Sequence, residues 1–479
     1  MSDTTTAPND PTDQTTAGTD TNAGATDPGS ARLLPDQPVP SLEAYVAAGG
    51  GRGLRWALDH DPDEVVAAVE ASGLRGRGGA GFPTGGKWRA IVESARDQDL
   101  AVSLVVNGAE GEPGTYKDRA LLLLNPYQVV EGLLIACHAV GAQQAYVGVK
   151  ASFTEPRERL QRALAEAVAA GWPCADRVAI VAGPDEYLFG EEKALLEVIE
   201  GKLPMPRHLA PYVNGLFTDT SNPSVALVNN VETLANVPLI AAHGADWYRR
   251  VGTERAPGTM VFTVTGDVAT AGVFELPLGT PLRVLLEDIA GAEDIQAVFS
   301  GTSNAVITPA MLDTPLEWEA LRDAGSGLGS GGFIVYDASH CIVRVAATLT
   351  RFLAVESCGQ CNACKLGTGV LADILARVDA GSGTGLDLER LASWAGKVTD
   401  LARCGLPTGA QLMVASLLEE FEDDLIAHLG RPCWSQRHEV VPKIDHLDLD
   451  TGEVTFDPTY HRKRPDWTYA EEPAEEPVA

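Results

Sequence analysis

Four cysteines in the last third of the chain, Cys358, Cys361, Cys364 and Cys404, have the residue type and spacing most able to do chemistry. Three thiolates at two-residue gaps fit a short loop that doubles back to reach three corners of an iron–sulfur cube. A fourth, arriving from a distance, completes the set. Such a centre moves single electrons. The same sulfurs could hold zinc, although structural zinc sites usually come as two separated Cys-x-x-Cys pairs, and this chain has one Cys-x-x-Cys-x-x-Cys run with a lone distant partner. Disulfides rank behind both. Cys364 opens an apolar-periodic stretch over 365–378, and a helix N-terminus there favours the negative charge of ligated thiolates. Cys137, Cys174, Cys341 and Cys433 read as plain thiols, and eight cysteines of this pattern fit a reducing compartment.

A second concentration of chemistry lies upstream. Residues 73–88 read G-L-R-G-R-G-G-A-G-F-P-T-G-G-K-W, with a formal G-x-G-x-x-G at Gly76, Gly78 and Gly81. The dinucleotide fingerprint follows a strand, whereas residues 62–71 have helical periodicity, so an ordinary Rossmann turn is not expected. The expectation is a glycine-dense loop carrying Arg75, Arg77 and Lys87, able to bring backbone N–H groups close to phosphate or an isoalloxazine ring. A purely structural turn is the plainer alternative. Asn107-Gly108-Ala109-Glu110-Gly111-Glu112-Pro113-Gly114 follows an apolar run at 102–106, at the strand end where ligands of open α/β sheets gather. Phe189-Gly190-Glu191-Glu192 sits equivalently after a later strand. Two such loops could hold ribityl and ribose hydroxyls, though Glu191 and Glu192 would also favour the first turn of any helix.

The elements that must position these groups change character along the chain. At 479 residues there is room for two or three domains, and 45% hydrophobic content supports globular cores. A formal net charge of −30 argues against nucleic acid, which needs clustered Lys and Arg, and suits a basic partner surface. No apolar run long enough to span a bilayer and no signal peptide is visible, so a cytoplasmic protein without direct membrane insertion is expected. Residues 1–38 have almost no large apolar side chains and read as a disordered tail, and the short, acidic, Pro-containing residues 471–479 read the same way. Between them, β-rich runs at 102–106, 145–149 and 178–181 alternate with helical stretches at 127–140, 155–170 and 191–200, which predicts a parallel α/β sheet. The runs at 259–265, 272–276, 281–289 and 296–299 suggest a small β-grasp-like insert. From about 315 to 429 apolar periodicity over 342–355, 369–378, 388–401 and 411–429 predicts a helical bundle, which contains all four cluster cysteines.

The glycine loop, the acidic loop, Gly190-Glu191-Glu192, Asn229-Asn230-Val231-Glu232-Thr233 and the cysteine set occur in one order. Together they resemble the flavoprotein (F) subunit of NADH-quinone oxidoreductase, in a family that includes diaphorase subunits of NAD-linked hydrogenases and formate dehydrogenases. The resemblance covers about residues 54–429. It implies FMN, a 4Fe–4S cluster and NAD(H) as cofactors, and a Rossmann-like FMN/NADH-binding α/β domain over 39–250. A ubiquitin-like (SLBB) β-grasp insert over 251–314, a helical iron–sulfur domain over 315–435 and a partly disordered extension over 436–479 would follow. By resemblance, Gly76, Arg77, Gly78, Gly79, Ala80, Gly81, Phe82, Pro83, Thr84 and Gly85 with Lys87 line the FMN and dinucleotide cleft. Asn107 and Glu110 meet the flavin, and Gly190, Glu191, Glu192, Asn229, Asn230 and Thr233 complete the pocket. Glu112, facing the nicotinamide, and Glu192 are the candidate catalytic groups, and Phe82 and Tyr212 the aromatics near the dinucleotide. Cys358, Cys361, Cys364 and Cys404 ligate the cluster. The chain departs from the family pattern at Ala109, Leu209 and Ala90, which motivates an alternative, an FMN/4Fe–4S relay with weakened NADH use. The implied partners are a small 2Fe–2S subunit and a larger iron–sulfur subunit, through which the protein would lie at the inner face of the cell membrane.

Overall fold

The computed structural model describes residues 32–399, 401–435 and 443–471. Two short helices, α1 (Leu42–Ala47) and α2 (Arg52–Leu58), precede α3 (Pro62–Ser72), α4 (Thr84–Gln98), β1 (Ala101–Gly108), α5 (Lys117–Leu124), α6 (Pro126–Val140) and β2 (Gln144–Lys150). Then come α7 (Thr154–Ala169), β3 (Val178–Gly183), α8 (Glu192–Ile199), β4 (Ser224–Asn230), α9 (Val231–His243) and α10 (Ala245–Tyr248). The strands form a parallel sheet in the order β3-β2-β1-β4. Central β1 is buried along nearly its whole length, which is why its sequence runs apolar instead of alternating. Helix α3 starts at an Asp61/Glu64 capping box with Pro62 in its first turn and stops at Gly73 in the left-handed region (φ 70°). The glycine loop therefore joins two helices, as the periodicity before it predicts.

The insert contains β5 (Thr259–Gly266), β6 (Gly272–Pro277), β7 (Ile295–Ser300), α11 (Trp318–Asp323) and β8 (Gly332–Asp337). Its sheet has the order β6-β5-β8-β7, with β5 and β8 parallel at the centre and antiparallel edges, and residues 284–289 form a helical turn. The expected boundary at 314/315 moves to about residue 337. Leu316, Trp318, Leu321, Leu328 and Phe333 pack into the insert's own apolar core, and β8 supplies a central strand. The helical domain follows as α12 (Ile342–Glu356), α13 (Gly369–Asp379), α14 (Gly385–Ala395), α15 (Leu406–Glu420) and α16 (Glu422–Ala427), around a core that also takes in Leu188 and, from the insert, Phe299, Val306, Ile334 and Tyr336. A hairpin of β9 (Ile444–Leu447) and β10 (Val454–Phe456) completes the chain.

The N-terminal expectation needs correction where the chain is described. Residues 32–38 are not a loose tail: Glu275 on β6 accepts the backbone N–H groups of Arg32, Leu33 and Leu34 at 2.9, 2.7 and 3.1 Å, and Leu33 is buried in the first core. Within the C-terminal extension, Tyr460 and Lys463 are buried against Glu356 at 2.8 Å each. Residues 1–31, 400, 436–442 and 472–479 lie outside the described residues. No single described helix is long and apolar enough to cross a membrane.

Glu356 also accepts the Tyr187 N–H at 2.9 Å, so it ties the extension and one loop of the α/β domain to the end of α12. Glu356→Gln leaves Lys463 as an unpaired buried cation and should cost about 3 kcal/mol or more. A lower urea midpoint checks this, and adding Lys463→Met should restore most of the loss; an unchanged midpoint would show that the extension adds no stability.

Candidate functional site

The glycine loop folds back on itself, with Gly76 N–H donating to the Phe82 carbonyl at 2.8 Å and Thr84 N–H to the Leu74 carbonyl at 2.9 Å. It is clamped to the insert. Trp318 Nε1 donates to the Gly79 carbonyl at 3.1 Å, and Arg75 pairs with Glu319 at 2.7 Å while donating to the Gly81 carbonyl at 2.6 Å. Glycine is required at two places. A Cβ on Gly81 (φ 62°) would lie 2.6 Å from the Trp318 ring, and Gly79, next to Gly329, has a φ of 122° that side chains with a Cβ rarely adopt. That second loop, residues 325–332, is also glycine-dense, and the two face each other across a cleft of about 710 Å³. This size is ordinary for a cofactor site.

The strand ends supply the opposite wall. Asn107 donates to the Gly190 carbonyl at 2.7 Å and accepts the Ala109 N–H at 3.1 Å, which fixes the first acidic loop to the Gly-Glu-Glu turn. Asn230 caps α9 and donates to Asp118 at 2.7 Å. Below it lies a buried charge network: Lys117 pairs with Asp118 at 2.7 Å and with Glu232 at 2.8 Å, and Arg119 with Glu110 at 2.8 Å. Burial opposes the charge on Lys117, but the Asp118 and Glu232 carboxylates hold its pKa above the usual value. Glu191 caps α8, accepting the N–H groups of Lys193 and Ala194 at 2.9 and 3.0 Å, and burial pushes its carboxyl up to about 7.

The cysteines complete the cleft on a third side. Cys358 and Cys361 lie in the loop after α12, Cys364 opens a helical turn that leads into α13, and Cys404 shortly precedes α15. Cys404, Gly405 and Leu406 line the same cleft as Gly78 and Gly79. Arg403 N–H points at Cys361 Sγ (3.3 Å) and the Gln360 amide at Cys358 Sγ (3.4 Å), the kind of hydrogen bonding that thiolate ligands receive. Burial pushes the Cys364 thiol up to about 11 and the Cys404 thiol up to about 12, so holding them as thiolates requires metal charge. Among the described residues, no three of these sulfurs converge within 4.8 Å. One zinc ion needs them at roughly 3.8 Å, whereas a cube presents each thiolate to a different iron.

Of the residues expected from the sequence, Gly78, Gly79, Ala80, Asn107, Glu110, Glu112, Gly190, Glu191, Asn230 and Cys404 line the cleft. The others do not, and the structure gives several of them different partners. The Arg77 guanidinium is buried against the carbonyls of Pro257 and Thr259 at 3.3 and 2.9 Å, while its N–H donates to Thr233 Oγ1 at 2.8 Å. Gly76 serves the loop's own closure and Pro83 precedes α4. Thr84 is buried, and Gly85 allows α4 to touch α3, since a Cβ there would meet Glu70 Cα at 2.3 Å. Asn229 accepts from Trp88 at 2.9 Å and holds α4 on the sheet. Lys87 and Glu192 pair with each other at 3.1 Å. Phe82 and Tyr212 stand exposed. Glu112 lines the cleft, but its carboxylate already accepts from Tyr187 Oη, Thr302 N–H and Oγ1, and Ser303 Oγ at 2.6 to 3.0 Å, which makes it a brace between domains. Lys117, Asp118, Tyr187, Trp318 and the 326–330 segment were not expected at the cleft, and of these only the last carries a signal in the sequence, its glycine density. Ala109 packs in an apolar cluster beside Phe189, and neither Leu209 nor Ala90 lines the cleft.

A family model described as the Nuo51 FMN-binding domain matches residues 69–239, and one described as the NADH-ubiquinone oxidoreductase-F iron-sulfur binding region matches residues 344–428. An NADH-quinone oxidoreductase F subunit of Rhizobium meliloti (strain 1021) is 38% identical over 416 residues, covering 83% of this chain and 97% of its own length. The chain belongs to the family of NADH-quinone oxidoreductase F subunits. Within that family, the F subunit of Streptomyces coelicolor is 38% identical over 424 residues, covering 84% and 93%. HndC, a component of the NADP-reducing hydrogenase of Solidesulfovibrio fructosivorans, is 36% identical over 404 residues, 81% of each chain. Among solved structures, that of an NAD+-reducing [NiFe]-hydrogenase in the H2-reduced state aligns with a TM-score of 0.73 at 35% identity, covering 84% of this chain and 68% of that one. The two matched regions contain both acidic loops and all four cysteines, so FMN and a 4Fe–4S cluster are the cofactors of this F subunit.

Gly79→Val adds a branched side chain at a left-handed backbone position facing the cleft, with a strain of about 1–3 kcal/mol before any clash. Flavin affinity should fall at least about tenfold, measured by fluorescence titration of the apoprotein, with iron content unchanged. Wild-type affinity would remove this loop from the flavin site.

Proposed function

We propose that this chain is the electron-entry component of an NADH dehydrogenase, taking electrons from NADH and delivering them through FMN and the 4Fe–4S cluster to a partner protein. What supports this reading is that Cys404, the distant member of the expected cluster ligand set, lines the wall of the glycine-lined cleft. FMN held in that cleft by the glycine loop and the Asn107 and Asn230 strand ends would supply the conversion between a hydride's electron pair and the single electrons that a cluster requires. The protein's part is placement. Gly78 and Gly79 let backbone come close to the bound cofactor, and Asn107 and Asn230 fix the strand ends against which it lies. The buried Lys117–Asp118–Glu232 group keeps that floor rigid and dry. Glu110 is spent on Arg119 and Glu112 on domain bracing, so neither has a free carboxylate for proton transfer, in keeping with chemistry carried by cofactors.

The relatives are subunits of larger enzymes by name. Among the described residues no second cysteine set of cluster spacing is present, so onward transfer runs to other chains. A small 2Fe–2S subunit and a larger iron–sulfur subunit are the proposed partners, with quinone the proposed final acceptor at the inner face of the membrane. The alternative of weakened NADH use draws no support from the cleft, because Ala109, Leu209 and Ala90 all lie off it.

Anaerobic addition of excess NADH to the reconstituted protein should bleach the flavin absorbance and then reduce the cluster, seen as a new paramagnetic signal. Failure to bleach with flavin bound would refute NADH as donor. In Cys404→Ser, flavin should stay bound and bleach with NADH, while the cluster signal and electron delivery to an artificial one-electron acceptor protein fall; an unaltered cluster would take Cys404 out of the ligand set.

A further inference from the structure

Outside the redox site, three soft donors from separate parts of the helical domain converge. Cys341 is the N-cap residue of α12, His428 directly follows α16, and Cys433 lies in the segment beyond it. From the sequence both cysteines read as plain thiols. In the structure Cys341 Sγ lies 3.2 Å from His428 Nε2, and the donor atoms of all three residues fall within 4.8 Å of one another. We propose that Cys341, His428 and Cys433 form a structural zinc site that staples the end of the helical domain to the start of α12.

The surroundings are those of a ligand set. His428 Nδ1 lies 2.7 Å from the Asp424 carbonyl, which can only accept, so the ring proton sits on Nδ1 and the Nε2 lone pair faces the sulfurs. Orientation of a ligating imidazole by a carbonyl on its other nitrogen is a recurring feature of metal sites. Cys341 makes no side-chain capping hydrogen bond to its own helix; its sulfur, at the partly positive end of a fifteen-residue helix, turns instead to His428 and Cys433. The segment carrying Cys433 is held twice: its own N–H donates to the Asp379 carbonyl at 3.1 Å, and Arg344 Nη1 donates to the Ser435 carbonyl at 2.8 Å. Cys341 and His428 are both buried. Two thiolates and an imidazole suit tetrahedral zinc, whose ligand atoms lie roughly 3.5–3.8 Å apart, with a fourth position for water. The Cys433 thiol is hydrogen-bonded to both His428 and Cys341, so the three donors form one cluster. Helix α12 separates this site from the Cys358 loop by about 22 Å, and zinc carries no electrons, so the role is to hold the helices together.

The test is a metal count on the holoprotein, purified anaerobically from zinc-containing medium. The expected result is about one zinc per chain beside the cluster iron, lost in Cys433→Ala and in His428→Ala with iron unchanged. Cys358→Ala should do the reverse, losing iron and keeping zinc, which separates this site from zinc misloaded at the cluster. His428→Cys, which keeps a ligand, should retain zinc even if the alanine variants fold poorly. Zinc absent from the wild type, zinc unchanged in both Cys433→Ala and His428→Ala, or a Cys341–Cys433 disulfide found by mass spectrometry of the alkylated protein would each overturn the proposal.

Discussion

Six charges sealed from water set the terms for the rest of this structure. Lys117, Arg77 and Arg119 meet Asp118, Glu232 and Glu110 with side-chain exposures between 0 and 6%. Three cations against three anions leave the group neutral, and no member can be moved away without stranding another in a medium that solvates it poorly. The elements that carry them, the glycine loop, the acidic loop, α5 and α9, are those that surround the cleft. Glu232 extends the constraint to the insert by accepting the Val261 N–H of β5 at 2.9 Å. Satisfying these charges therefore fixes the cleft floor as well. The group need not add net stability to matter, since a well-packed apolar replacement could match it in energy but would not specify one arrangement of four segments.

The cleft lies where three units meet, and each brings a different contribution. The α/β domain supplies strand ends, the insert supplies Trp318 and the second glycine loop, and the helical domain supplies Cys404. Apolar packing crosses the boundaries, with Leu188, Phe299, Ile334 and Tyr336 buried among helical-domain side chains, and polar, directional contacts add to it: Arg75 to Glu319, Trp318 to Gly79, and Glu112 to Thr302 and Ser303. Directional bonds fix orientation better than apolar contact of the same area, and two cofactors that must exchange electrons need fixed separation more than they need a deep binding site.

The sequence made the fold class legible because its signals were long and regular. Predicted strands and helices in the first domain coincide with β1, β2, β3, α6, α7 and α8 within a residue or two. Short elements were harder. Strand β8 is six residues inside a stretch otherwise rich in helical periodicity, and its membership in the insert depends on pairing with β5 across more than sixty residues, which no local pattern encodes. At the site, glycines and cysteines were readable because their chemistry is tied to residue type. Arg77, Asn229 and Glu112 were assigned to cofactors because polar residues in a functional loop look alike in sequence. Whether such a side chain faces a cleft or a domain boundary depends on partners far along the chain, such as Thr259 for Arg77 and Thr302 for Glu112.

Those distant partners join into one path. Glu356, the last residue of α12, accepts the Tyr187 N–H; Tyr187 Oη donates to Glu112; Glu112 accepts from Thr302 and Ser303 of the insert. The path begins two residues before Cys358, runs along the cleft wall at Tyr187 and ends in the insert. Each link is partly or wholly buried, where a hydrogen bond is stronger and its loss more costly than at the surface. Lys463 and Tyr460 secure the Glu356 end from the C-terminal extension. Electron transfer between centres falls steeply with distance, and a cluster loop free to drift from the cleft would lose rate before it lost ligands. Glu356 thereby ties the end of α12, just ahead of the cysteine loop, through Tyr187 to Glu112 at the cleft, and the C-terminal extension returns to cover it.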